Sequence, residues 1–189
     1  SADEKFLKLK ILVKKLNKPT HTLTFSGDGK TEGISESEIK DKRRILNILR
    51  EEKWMVEEFT AEVDSNMRKS RINDFKDETL NALVAIKVLD QGINIPAIKT
   101  AIIIASSRSK RQYIQRLGRI LRTSKNKKLS TVYDFIVLPN KSLPFKSDSL
   151  STLIEKEKER FDEFSKNAQN KDEVIKELNR ELNYFKNES

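Results

Sequence analysis

With 189 residues, 36% of them hydrophobic and 35% charged, the chain is long enough for one full domain with a small appendage and an ordinary core. It has no cysteine and a single histidine, His21, which excludes disulfides, a thiolate zinc site and a histidine-rich metal centre. No apolar run approaches the roughly 18–20 residues of a membrane span, and no secretory signal is visible, so no membrane and a place inside the cell are expected.

Asp3 to Asn17 carries Phe6, Leu7, Leu9, Ile11, Leu12, Val13 and Leu16, a spacing that predicts a helix ended by Pro19. His21–Phe25 reads as a strand opening into the loop Ser26-Gly27-Asp28-Gly29. A second helix is predicted over Glu36–Glu52 and a strand within Met55–Val63. A third helix is expected over Ser65–Phe75, with Met67, Ile72 and Phe75 inward. Asn81–Val88 and Thr100–Ala105 are apolar throughout, as in strands buried on both faces. Ser109–Arg122 is helical, and Thr131–Leu138 is another strand. This alternation predicts an α/β fold with a largely parallel sheet. Near Lys141–Asp148 the pattern gives way to a Ser/Pro/Lys-rich linker, followed by two helices over about Ser149–Asn167 and Asp172–Phe185. The expected division is 1–140 as the main domain, 141–148 as a linker and 149–189 as a helical extension. The apolar stripes of those last helices predict a hairpin, packed on the domain or against a neighbour. There is no internal repeat. Ser1 in place of Met is expected for a chain cut from a longer protein or carrying a cloning remnant.

The net charge of +9 is uneven. Residues 149–189 hold 8 basic and 10 acidic side chains, a net of −2, which leaves +11 for residues 1–148. Ser106–Lys128 holds nine Lys/Arg and no Asp or Glu. Phosphate, of a nucleotide or a nucleic acid, is the natural partner of such a block; a solvated basic face is the bland alternative.

On a helical wheel at about 100° per residue, with Gln115 at zero, Arg119 falls near +40°, Arg122 near −20°, Arg111 near −40° and Gln112 near +60°. Tyr113, Leu117, Ile120 and Leu121 cover the other side. One face therefore suits packing on a sheet and the other presents a Gln/Arg row. Gly118 beside that row lets a backbone or phosphate approach closely. Guanidinium groups are planar, always charged and matched to phosphate oxygens.

The run Gln115-Arg116-Leu117-Gly118-Arg119-Ile120-Leu121-Arg122 matches motif VI (QxxGRxxR) of the superfamily 2 helicases, and Leu89-Asp90-Gln91-Gly92-Ile93-Asn94-Ile95-Pro96 resembles their motif V. Ala105–Tyr113 (ASSRSKRQY) is most similar to the DEAD/DEAH-box branch containing XPB-like repair helicases and restriction-type DNA translocases. The resemblance covers roughly residues 1–140. It implies the second, C-terminal RecA-like domain: a three-layer sandwich with a mostly parallel central sheet, here with a C-terminal helical extension.

On that resemblance Arg119 and Arg122 are arginine fingers, and Gln115 lies near the γ-phosphate and the attacking water. Gly92, Asn94 and Gly118 lie at the nucleotide's edge. The family usually has Asp where Asn94 stands; Asn still hydrogen-bonds a hydroxyl but carries no charge. Ser26, Gly27, Thr60, Arg68, Arg71, Lys87 and Arg108 are the nucleic-acid candidates. Arg68 and Arg71 share a helix face, and an ordinary solvated face is the equal reading for them. The family often has Thr where Ile86 stands, so Ile86 is expected to be a plain strand residue. Gly29-Lys30-Thr31 is not a phosphate loop, because the required first glycine would fall on Thr24. His21 is expected at a strand edge rather than as a ligand, and Trp54 and Tyr113 in packing rather than base stacking.

No phosphate-binding Lys loop and no Asp-Glu magnesium motif are present, so half an active site is expected. ATP and Mg2+ would be held mainly by a first, N-terminal RecA-like domain of the same protein. The track is expected to be nucleic acid, leaning to double-stranded DNA, in a cytoplasmic, bacterial or phage-like setting. The isolated chain should lack ATPase activity. A non-catalytic nucleic-acid-binding module on the same frame is the rival reading.

Overall fold

The computed structural model describes residues 2–26, 35–60, 62–86, 98–104, 129–136, 147–166 and 168–187. They fall into two compact units, Ala2–Phe135 and Ile136–Ser189.

In the first unit, α1 (Ala2–Lys15), β1 (Thr22–Phe25), α2 (Glu36–Glu51), β2 (Val56–Phe59), α3 (Ser65–Lys76), β3 (Ala82–Ala85), β4 (Thr100–Ile103) and β5 (Thr131–Asp134) follow in chain order. The five strands form one sheet in the order β2-β3-β1-β4-β5. Every neighbouring pair is parallel. β1, β3 and β4 are buried at every residue, as a parallel sheet covered on both faces requires.

Successive residues of a strand point to opposite faces. Val56, Ala82, Val84, Ile102 and Ile104 pack with Phe6, Leu9 and Val13 of α1 and Ile45, Leu46, Ile48 and Leu49 of α2. The alternate set, which includes Leu23, Phe25, Phe59, Leu83, Ala85 and Ile103, is also buried. It faces the side where α3 contributes the fully buried Phe75.

The helices start and stop on local signals. Ser35 caps α2 in a reciprocal box: Glu38 N–H donates to Ser35 Oγ and Ser35 N–H donates to Glu38 Oε2. Asp64 caps α3 by accepting from Asn66 N and Met67 N, and those backbone donors hold its carboxyl below the usual range. α2 ends with Lys53 in the left-handed region (φ 62°), and Trp54 N–H donates back to Leu49 O at 3.0 Å. That closing turn drives the Trp54 ring into the core.

Met67 does not point inward as its spacing predicts; it is 52% exposed, Ile72 is half-buried, and only Phe75 of the three is core. α3 rests on the flank of the sheet through its C-terminal half and leaves its first turn in water.

In the second unit, α4 (Ser147–Ser165) and α5 (Lys171–Asn187) contact one another. They are joined by a tight turn in which Ala168 N–H donates to Ser165 O. α4 begins at Ser147, inside the stretch read as a linker. Ile154 and Leu182 of the predicted stripes are buried.

His21 lies just before β1 with φ 57°, edge-on to Phe75 with ring centroids 5.3 Å apart. Its Nδ1 is 3.4 Å from Glu78 Oε1, and Glu78 also accepts from Lys99 and Thr20. Burial first, and then the Lys99 cation, push the imidazole below its ordinary value of 6.5, against the Glu78 carboxylate. A base whose folded pKa is depressed takes its proton more readily when unfolded. Its contribution to stability is therefore complete above about pH 6.5 and is lost as pH falls through the folded value. Denaturation midpoints measured from pH 7.5 downward should begin to fall once pH drops below about 6.5. His21→Asn, which tolerates the positive φ, should flatten that step; an unchanged slope in the variant would contradict the assignment.

Candidate nucleic-acid interface

All five strands point the same way, so all five carboxyl ends emerge along one edge. In such sheets ligands gather outside that edge, where successive connections leave in opposite directions. Here the chain fills β2 and β3 on one side of β1 and then crosses to β4 on the other.

Ser26 follows β1, and its N–H donates to Ala85 O at 3.1 Å. Continuing the register places Ser26 level with Ile86 and Ile104, and Thr60 level with Ile86. Ser26 and Thr60 thus stand two strands apart, roughly 10 Å at the usual strand spacing. Both are buried, and neither Ser26 Oγ nor Thr60 Oγ1 has a hydrogen-bond partner. Buried hydroxyls are ordinarily satisfied, and these two without partners stand on the same edge of the sheet. Ile86, between them, is a buried strand residue.

The two arginines of α3 differ. Arg71 is turned onto β2: Nη1 donates to Glu58 O and Nη2 lies 3.2 Å from Glu57 Oε2. Glu58 O is one of the carbonyls that the edge strand directs away from β3. Arg50 Nη2, from α2, donates to the other such carbonyl, Val56 O, at 3.3 Å. Together they close an edge that would otherwise offer itself for pairing. Arg68 is half-buried on the N-terminal side of α3, where its charge helps to depress Asp64. Nothing in the local sequence announces the edge-covering role of Arg50 and Arg71, because it depends on β2 being outermost.

Gly27, Lys87, Gly92, Asn94, Arg108, Gln115, Gly118, Arg119 and Arg122 lie outside the described residues, as do Gly29-Lys30-Thr31 and the Ser109–Arg122 helix. Among the described residues no cluster of His, Cys, Asp or Glu could hold a metal ion, and no helix is long and apolar enough to cross a membrane.

Residues 4–124 match the family described as the helicase conserved C-terminal domain. The chain belongs to that family. Residues 4–124 are thus a helicase C-terminal domain built on a RecA-like frame. A region of 94 residues is 27% identical to putative helicase 22 of Sulfolobus islandicus filamentous virus, covering 50% of this chain and 17% of that protein. Another, of 105 residues, is 30% identical to the DNA 3'-5' translocase XPB2 of Sulfurisphaera tokodaii, covering 47% and 24%. The chain thus spans less than a quarter of either relative's length. The fold is that of a DEAD box protein from Methanococcus jannaschii, with a TM-score of 0.55 at 18% identity, covering 86% of this chain and 37% of that one. The expected RecA-like α/β frame with its parallel sheet is therefore present.

Orphaned buried hydroxyls do not stabilise a fold. Thr60→Val and Ser26→Ala should leave the denaturation midpoint unchanged or raise stability by about 1 kcal/mol. A loss larger than that would show that the hydroxyls serve the fold itself.

Proposed function

We propose that this domain is the C-terminal motor half of an ATP-dependent nucleic-acid helicase or translocase, acting on DNA. The observation that carries the reading is the pair of motifs at Leu89–Pro96 and Gln115–Arg122 within the family match. The translocase named among the relatives and the likeness of Ala105–Tyr113 favour duplex DNA as the track.

In this reading Arg119 and Arg122 neutralise charge developing on a γ-phosphate, and Gln115 orients the attacking water. Gly118 allows close approach, while Gly92 and Asn94 border the nucleotide, with Asn94 offering a neutral amide to a ribose hydroxyl. ATP and Mg2+ are held mainly by the first RecA-like domain of the parent protein. Ser26, Gly27, Thr60, Arg68, Lys87 and Arg108 line the backbone track, gripping phosphates with little sequence preference. Arg71 sets the position of α3 beside that track through its bonds to β2. Closure of the two domains, followed by opening after hydrolysis, moves the protein along the strand. Residues 149–189 form a helical extension to the motor, joined to residues 1–140 by the 141–148 segment. The protein works in the cytoplasm.

In the parent protein, Arg119→Ala should lower ATP hydrolysis by about 10³–10⁵ while ATP binding persists. Thr60→Val should weaken nucleic-acid binding without that catalytic loss. A normal hydrolysis rate in Arg119→Ala would overturn the finger role. Salt-sensitive nucleic-acid binding by the parent protein, with no ATP hydrolysis and no ATP dependence, would instead favour a nucleic-acid-binding module without catalysis.

A further inference from the structure

The seam between α1 and α2 uses four of the seven acids carried by α1, α2 and the C-cap Glu52. Asp3 pairs with Arg44, Asp41 with Lys5, Glu51 with Lys10 and Glu52 with Lys14. Phe6 is clasped below the seam, with Lys5 Nζ 4.9 Å and Arg44 Cζ 4.3 Å from its ring centroid. Lys8 and Lys15 of α1 and Lys40 and Arg43 of α2 remain exposed, and among the described residues none of them has an ion-pair partner.

Among these cations lie two exposed apolar side chains one helical turn apart, Leu7 at 59% and Ile11 at 43%. At about 100° per residue, Leu7 and Ile11 are some 40° apart on the face turned away from the core. Lys15 and Lys8 follow about 40° and 60° beyond Ile11, on the side away from α2. The pairs Asp3–Arg44 and Lys10–Glu51 set the two helices side by side and parallel. Leu7 is therefore level with Asn47, while Arg43 and Lys40 stand about one and two turns earlier on α2 and lie below the apolar row rather than beside it. The result is an apolar stripe one helix wide with the Lys8 and Lys15 cations along the margin away from α2.

We infer that this surface docks an acidic amphipathic helix belonging to a protein partner. The apolar pair at i, i+4 matches the anchors by which a helix is read in a groove. Lys8 and Lys15 match an acidic margin on the side away from α2 and disfavour basic competitors there. A phosphate backbone would use the cations but would strand Leu7 and Ile11 against polar groups, which disfavours nucleic acid here. The patch is carried by α1 and α2 and does not include the strand ends of the proposed track, so the inference does not rest on the motor reading.

The test is calorimetric titration of residues 1–189 with a capped helical peptide bearing leucines at i, i+3, i+4 and i+7 and glutamates on both flanks. A scrambled peptide of the same composition and an oligothymidylate serve as comparators. Saturable binding of the patterned peptide should weaken at least tenfold with the scrambled one. It should weaken as much in the double variant Leu7→Ser/Ile11→Ser and in Lys8→Glu/Lys15→Glu, and stay unchanged in Lys176→Glu on α5. All the altered side chains are exposed, and circular dichroism checks that each variant is folded. No binding at millimolar peptide overturns the inference, as does equal binding of the scrambled peptide. Loss in Lys8→Glu/Lys15→Glu alone, with oligothymidylate competing, also overturns it and assigns the surface to nucleic acid.

Discussion

A parallel sheet cannot leave either face in water, and its most vulnerable member is the edge strand. In this domain both problems meet at β2. Its adjacent residues Glu57 and Glu58 point to opposite faces and are tied to opposite helical layers, Glu57 to Arg71 of α3 and Glu58 to Lys42 of α2. Arg50 and Arg71 then cover the carbonyls that face outward. Exposed ion pairs are individually weak, but Lys42 is buried and Arg71 nearly so. Removing either partner would leave charge in a poorly hydrated place. The same strand delivers Thr60 to the carboxyl edge, so the anchoring of β2 fixes one end of the candidate track.

The candidate site follows from strand direction. With every strand parallel, the residues just past β1, β2 and β3 are gathered on one edge whatever their identity. Among the described residues the edge carries two buried hydroxyls without partners, Ser26 and Thr60, while a third, Thr24, lies inside β1. A structure optimised only for stability would satisfy or remove those hydroxyls.

Much of the frame was legible in the sequence because buried parallel strands write themselves as unbroken apolar runs. The runs at Asn81–Val88 and Thr100–Ala105 contain β3 and β4. Ser35-x-x-Glu38 is likewise a local start signal for α2, though apolar spacing alone had already placed that helix. Met67 misled, since periodicity gives a face but not how far along the helix the core extends. Arg68 and Arg71 look equivalent on a wheel, yet one borders an acidic cap while the other is bound to an edge strand eleven or more residues earlier in the chain. No window of sequence encodes which strand lies outermost. The Gln115/Arg119/Arg122 row lies outside the described residues, and its reading rests on spacing in the sequence.

The central claim is that this domain completes an ATP site held by another. The most direct measurement is nucleic-acid-stimulated ATP hydrolysis by the first RecA-like domain of the parent protein, produced separately, before and after residues 1–189 are added. The account predicts hydrolysis only in the mixture, and none when the added chain carries Arg119→Ala. Equal hydrolysis with and without the added chain would contradict it.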